Sequence, residues 1–173
     1  MRIKPLVVLS SMISTCLSQS SSKTTYLTAP ALVTLNNLTT IQCWRLATPF
    51  ATSNTPGTNG AKAAVISNVT NLAYTVLPPR FDGGLHTAPA PQIVHFVSGL
   101  AHITLPNDAS KELWIVGGAG GLLIAADTTG SGHITRYPSD QETVGILAPF
   151  GGGRIPGYEI VKEGACQGLQ TFA

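Results

Sequence analysis

From Gln92 onward the chain alternates. Gln92, Val94 and Phe96 fall on one side of an extended segment, and Ile93, His95 and Val97 on the other. Ser98-Gly99 is a turn pair, and Leu100–Leu105 reads as the returning strand, so this region predicts a β-hairpin. A second hairpin follows: an apolar strand over 122–126, a Thr/Gly turn over 128–132, and a strand that opens at His133. The same reasoning predicts strands over 32–46, 63–69, Ala73–Leu77, 111–115, 143–148 and 158–161. Pro78-Pro79 ends one of these, and segments 48–60, 117–121 and 150–156 read as turns or loops. No heptad and no repeat of constant period is present. Many short strands with tight turns predict an all-β chain, closed as a β-barrel or jelly roll.

Composition supports that picture. Only 10% of the 173 residues are charged, while Gly (18) and Pro (12) are abundant. This is a turn-rich β composition, not a disordered one, and the length suits one domain with a real core. Residues 1–20 read as a secretory signal peptide: Arg2 and Lys4 precede a serine-diluted apolar stretch over 6–17, with small residues at Ser18 and Ser20. The predicted domain is 21–173, with its core over about 62–162. The apolar stretch is too short to span a bilayer, and no other segment is a candidate.

Cleavage would change the charge and the cysteine count. Arg2 and Lys4 leave, so the formal +2 becomes zero against Asp+Glu 8, and no basic excess argues for nucleic acid. Cys16 leaves too. Cys43 and Cys166 then form an even pair that either bridges or stays as two buried thiols; an oxidising compartment favours the bridge. Asn37-Leu38-Thr39 and Asn68-Val69-Thr70 are glycosylation sequons, meaningful in a secretory lumen.

The chemistry rests on imidazoles. His86 and His133 each stand at a strand start beside a turn, where a barrel would bring both rings into one interior. Either could act as a general base near neutral pH, with Gln92 orienting a carbonyl or hydroxyl. His95 faces away from Gln92. Phe96, on the Gln92 side, and His102, on the returning strand, are candidate substrate contacts. Asp127 precedes the turn, and its carboxylate is expected to accept bonds from the turn's own N–H groups. Arg80, Arg136 and Tyr137 are candidates for the mouth or for plain solvent exposure, and Trp44 and Trp114 are expected in the core. Gly117 to Gly121 lacks the Lys-Ser/Thr and the helix of a phosphate loop, so no nucleotide cofactor is expected. No Ser or Cys nucleophile with a His and acid partner can be read.

Two stretches resemble the cupin superfamily's paired motifs. HTAPAPQIVHFVSGLAHIT carries His86, Ala88-Pro89, Gln92 and Val97-Ser98-Gly99, and AADTTGSGHITRY carries Asp127-Thr128-Thr129-Gly130, Gly132-His133 and Thr135. They resemble in particular a group of small fungal cupins described as oxidoreductases or dioxygenase-like proteins of polyketide pathways. The resemblance covers roughly residues 77–150. It implies a cupin barrel holding a divalent transition metal (iron, nickel, zinc or copper) at His86, Gln92 and His133, and oxidation of a small aromatic or polyketide intermediate of secondary metabolism. The family's usual set is His-x-His, Glu and His; here Ala88 and Gln92 stand at the second His and the Glu. A set without a carboxylate binds metal less tightly. The alternatives are a cofactor-free isomerase or cyclase in the same cavity, and a non-catalytic secreted binding protein. A homodimer through edge strands fits the resemblance.

Overall fold

Alternation along the strands becomes two sheets with a shared apolar filling. A computed structural model describes residues 24–167. The proposed signal peptide lies outside the described residues. The strands are β1 (Tyr26–Leu35), β2 (Leu38–Pro49), β3 (Ala51–Thr52), β4 (Lys62–Ala63), β5 (Ala73–Leu77), β6 (Asp82–His86), β7 (Gln92–Ser98), β8 (Leu100–Leu105), β9 (Asp108–Val116), β10 (Leu122–Ala125), β11 (His133–Arg136), β12 (Thr143–Pro149) and β13 (Tyr158–Glu163). One sheet runs β13-β2-β1-β10-β7-β12-β5, a second β6-β11-β8-β9, and β3 pairs only with β4. The chain is all-β, and no helix among the described residues is long and apolar enough to cross a membrane.

Inward-facing residues of both sheets make one core: Leu32, Val94, Phe96 and Leu123 from the larger, Ala101, Ile103, Leu113 and Ile115 from the smaller. The opposite face of the larger sheet is also covered. Ala31, Trp44, Ile124 and Phe150 pack there with Ile66. That packing explains one difference from the sequence reading. Segment 63–69 is not a strand; beyond Ala63 it makes only an isolated bridge from Val69 to Phe150, and Ile66 serves as cover.

The expected closed barrel is not formed. Among the described residues no ladder joins the two sheets, so their edges stay open at β5 and β13, and at β6 and β9. The chain passes from β5 into β6 across Pro78, Pro79 and Arg80. Proline cannot donate to a ladder, and Arg80 takes φ +57°, so the pairing stops there and the chain changes sheets.

The segment 32–46, expected as one strand, belongs to a long hairpin. Asn36 and Asn37 adopt φ +50° and +65°, the conformation of a two-residue turn, with Leu35 opposite Leu38. β1 then runs parallel to β10 through Ala31 and Ile124, which places this hairpin inside the larger sheet. At the far edge Cys43 and Cys166 form a disulfide, with Cα atoms 4.8 Å apart across 123 residues of sequence. Trp44, fully buried, stacks on Tyr158 of β13 at 3.5 Å between centroids.

Candidate active site

The site begins with the register of β6 and β11. His133 lies directly opposite His86 across that antiparallel pair. Their rings meet edge-on, 4.4 Å between centroids at 60°. The approach depends on Gly132, which has φ +68°; a Cβ there would lie 2.5 Å from the His86 carbonyl oxygen. Only glycine lets the turn bring β11 so close to the end of β6.

Both imidazoles are held by their Nδ1 atoms. His133 Nδ1 lies 2.6 Å from Asp127 Oδ2, and His86 Nδ1 lies 3.0 Å from the Gly84 carbonyl oxygen. A carboxylate and a carbonyl can only accept, so each Nδ1 carries a proton, and in the neutral ring the lone pair is left on Nε2. This assignment of tautomers follows from the partners. Asp127 is fully buried, and its Oδ2 also accepts from Thr39 Oγ1 at 3.2 Å. Thr39 sits on β2, so the N-terminal hairpin reaches into the site. The backbone fixes the other end, where Ala88 N–H donates to the Asp127 carbonyl at 3.1 Å. Asp127 Oδ1 is buried without a protein partner among the described residues.

The two imidazoles line a cavity of about 210 Å³ between the sheets. Its small-sheet wall carries His86, His133, Thr135 and Tyr137; its large-sheet wall carries Gln92, Val94, Phe96, Leu123 and Leu147. Gln92 and Phe96 are buried, on the face that strand alternation predicts, while Ile93 and His95 lie on the other face of β7. Tyr137 packs against Phe96 and Phe81, each 6.1 Å away between centroids. Burial pushes its phenol up to about 12, so it is a neutral O–H donor across the physiological range.

The structure brings His86, Gln92, Phe96 and His133 to one cavity and leaves His102 out. Ala101, Ile103 and Leu105 face inward on β8, so His102 faces outward. There its ring stacks on Trp114 at 3.8 Å and its Nε2 meets Glu112 Oε2 at 2.8 Å. His102 is therefore no substrate contact in this cavity. Trp114, expected in the core, is 49% exposed in the same cluster, because Leu113 and Ile115 take the inward positions of β9. The Glu112 carboxyl is held below its usual range by the His102 bond and by Trp114. Arg80 and Arg136 make exposed ion pairs with Asp140 and Asp82. Gly117 to Gly121 forms the turn expected: Gly121 N–H donates to Gly118, and Phe96 N–H donates to Gly121. Asn37 and Asn68 are both exposed.

Sequence reasoning gives Asp127 another role and leaves Tyr137 between the mouth and plain solvent exposure. Asp127 does not serve its own turn; its carboxylate turns inward to His133. The signal available was its spacing of six residues from an imidazole across a glycine turn. Tyr137 shares strand parity with His133 and Thr135, which could have placed all three on one wall.

No protein-family model, curated protein or solved structure matches the chain. The donor set fits a metal only in part. Two Nε2 lone pairs and the Gln92 amide oxygen could serve as ligands, and engaged Nδ1 atoms are what metal-bound histidines show. Yet no group of three His, Cys, Asp or Glu side chains suited to a metal is present among the described residues.

Proposed function

We propose that the chain is an enzyme that moves a proton on a small, largely apolar, oxygenated substrate, with His133 as general base. The observation that carries this reading is the buried Asp127–His133 contact of 2.6 Å beside a second imidazole in a mostly apolar cavity. Asp127 sets the tautomer that leaves Nε2 basic and would stabilise the imidazolium once a proton arrives. Gln92 supplies an amide donor for the oxygen on which charge develops. The imidazolium then returns the proton to a different substrate atom, giving an isomer. Alternatively it protonates a leaving hydroxide, giving water and a dehydrated product. His86, at the exposed end of the pair, screens the base and contacts the substrate.

The resemblance to small cupins belongs to this proposal, as do the jelly-roll reading of the two facing sheets and a secreted location. The core shared by the two sheets supports the jelly-roll reading, and the Cys43–Cys166 bond is compatible with a secreted location. A second reading is favoured by one observation, that both Nδ1 atoms are engaged. His86, His133 and Gln92 would then hold a divalent iron, nickel, zinc or copper ion, and oxidation of an aromatic or polyketide intermediate would follow. When bound, such an ion supplies Lewis-acid polarisation or oxygen chemistry.

The test is deuterium exchange. A panel of small enolisable ketones, aliphatic and aromatic, is incubated with the purified protein in D₂O and followed by NMR. Catalysed exchange should fall by about 10²–10⁴-fold in His133→Gln and comparably in Asp127→Asn. Exchange that survives both substitutions would remove His133 as the base. Exchange that instead tracks added metal, and fails in Gln92→Ala, would favour the second reading.

A further inference from the structure

The cavity is two-faced. Its small-sheet wall presents His133, Thr135 and Tyr137, alternate residues running from the start of β11 to just beyond its end. Alternate side chains on a strand stand about 6–7 Å apart, so this polar stripe runs about 13 Å from imidazole to phenol at the backbone. The opposite wall is apolar from Val94 through Phe96 and Leu123 to Leu147, with Gln92 and Thr75 as its polar positions.

The two ends of the stripe want opposite things. With Nδ1 donating to Asp127, Nε2 of the neutral His133 ring is an acceptor for a donor. Tyr137 at the other end is an O–H donor and needs an acceptor. Its ring is fixed between Phe81 and Phe96, and among the described residues its hydroxyl has no hydrogen-bond partner. Tyr137 is partly buried and its hydroxyl keeps access to solvent, so it can donate to an occupant of the cavity. The volume of about 210 Å³ lies below the range usual for drug-sized ligands, which limits the occupant to one or two small rings.

We infer that the cavity takes flat, ring-bearing hydroxy-carbonyl compounds whose hydroxyl and carbonyl lie at opposite ends, with Tyr137 as the specificity-determining donor to the carbonyl. The inference rests on the proton-transfer reading for the role of His133 and extends it to the ligand. The hydroxyl donates to His133 Nε2, the ring lies along Phe96 and Leu147, and the carbonyl accepts from Tyr137. A compound with adjacent hydroxyl and carbonyl bonds to itself and leaves one end of the stripe unsatisfied, which costs affinity.

The test is binding of three probes, 4-hydroxyacetophenone, 2-hydroxyacetophenone and 4-ethylphenol, by isothermal calorimetry on the full-length mature protein. The para ketone should bind at least about tenfold more tightly than its ortho isomer. Tyr137→Phe should weaken the para ketone about three- to tenfold, the size of one net hydrogen bond, and leave 4-ethylphenol unchanged. The unchanged probe shows that the variant is folded. Equal affinity for the two isomers, equal weakening of 4-ethylphenol, or no binding of the para ketone would overturn the inference. Failure here with His133-dependent exchange intact on other ketones would leave the proton-transfer reading standing; binding as expected without exchange would do the reverse.

Discussion

Asp127 carries the site's electrostatics. Its Oδ2 serves both His133 and Thr39, and its Oδ1 is buried with no protein partner among the described residues. Removing the carboxylate leaves a buried imidazole N–H and a buried hydroxyl unpaired. Asp127→Ala should therefore cost about 1–3 kcal/mol in a denaturant titration. Thr39→Val, which removes one neutral donor, should cost about 1 kcal/mol. His102 makes the opposite case. It faces outward, so His102→Ala should leave ketone exchange and probe binding unchanged; a loss of either would place it in the cavity after all. Tyr137 offers a pH signature. Its phenol is raised by burial from its ordinary 10.0 to about 12, so the folded state holds the proton more tightly than the unfolded chain. That contribution is fully present below pH 10 and is lost as pH rises through about 12. Ultraviolet titration of the wild type should show one tyrosine ionising late, and Tyr137→Phe should lack that step.

Single elements show where sequence patterns succeed and fail. Alternation from Gln92 places β7 and its inward face correctly, and Leu100–Leu105 is found as β8 because Ser98-Gly99 signals its turn. β6 is missed because DGGLH has no apolar periodicity; its pairing is set by β11 from across the sheet, a tertiary contact. The hairpin of β1 and β2 is missed for another reason. Asn36-Asn37 is a left-handed turn pair inside an otherwise continuous run of strand-forming residues, and the two strands merge into one. His102 and His133 share the same ambiguity of facing, resolved only by the burial of their neighbours. Gly132 is the element-scale lever on chemistry. Gly132→Ala combines a positive φ with a 2.5 Å contact to the His86 carbonyl, so it should separate β11 from β6. The expected result is lower stability together with loss of exchange activity; a fully active, equally stable variant would mean that the two strands need not approach so closely.

At the scale of the molecule, two open sheets enclose the cavity, and the fold is held at one side by chemistry rather than by packing. β13 is exposed along its whole length and pairs only with β2. Its side-chain attachments include the Trp44–Tyr158 stack, an Arg45–Glu159 ion pair, a Gln42–Glu163 hydrogen bond, and the Cys43–Cys166 bond just beyond it. The bond closes a loop spanning 123 residues, which loop entropy values at roughly 4–5 kcal/mol. Replacing both cysteines by serine should lower the unfolding free energy by about that amount and loosen β13 first, as read by hydrogen exchange. His86 and His133 lie on the other sheet, so the site should remain assembled in the surviving folded fraction.

The central claim is the protonation geometry of one ring. Long-range ¹⁵N–¹H correlation spectra of the ¹⁵N-labelled protein at neutral pH read the tautomer of each histidine directly. His133 should carry its proton on Nδ1 with Nε2 bare, and Asp127→Asn should disturb this pattern while leaving His95 unchanged. A His133 whose proton sits on Nε2 in the wild-type protein would contradict it, because the nitrogen proposed to accept the substrate's proton would already be occupied.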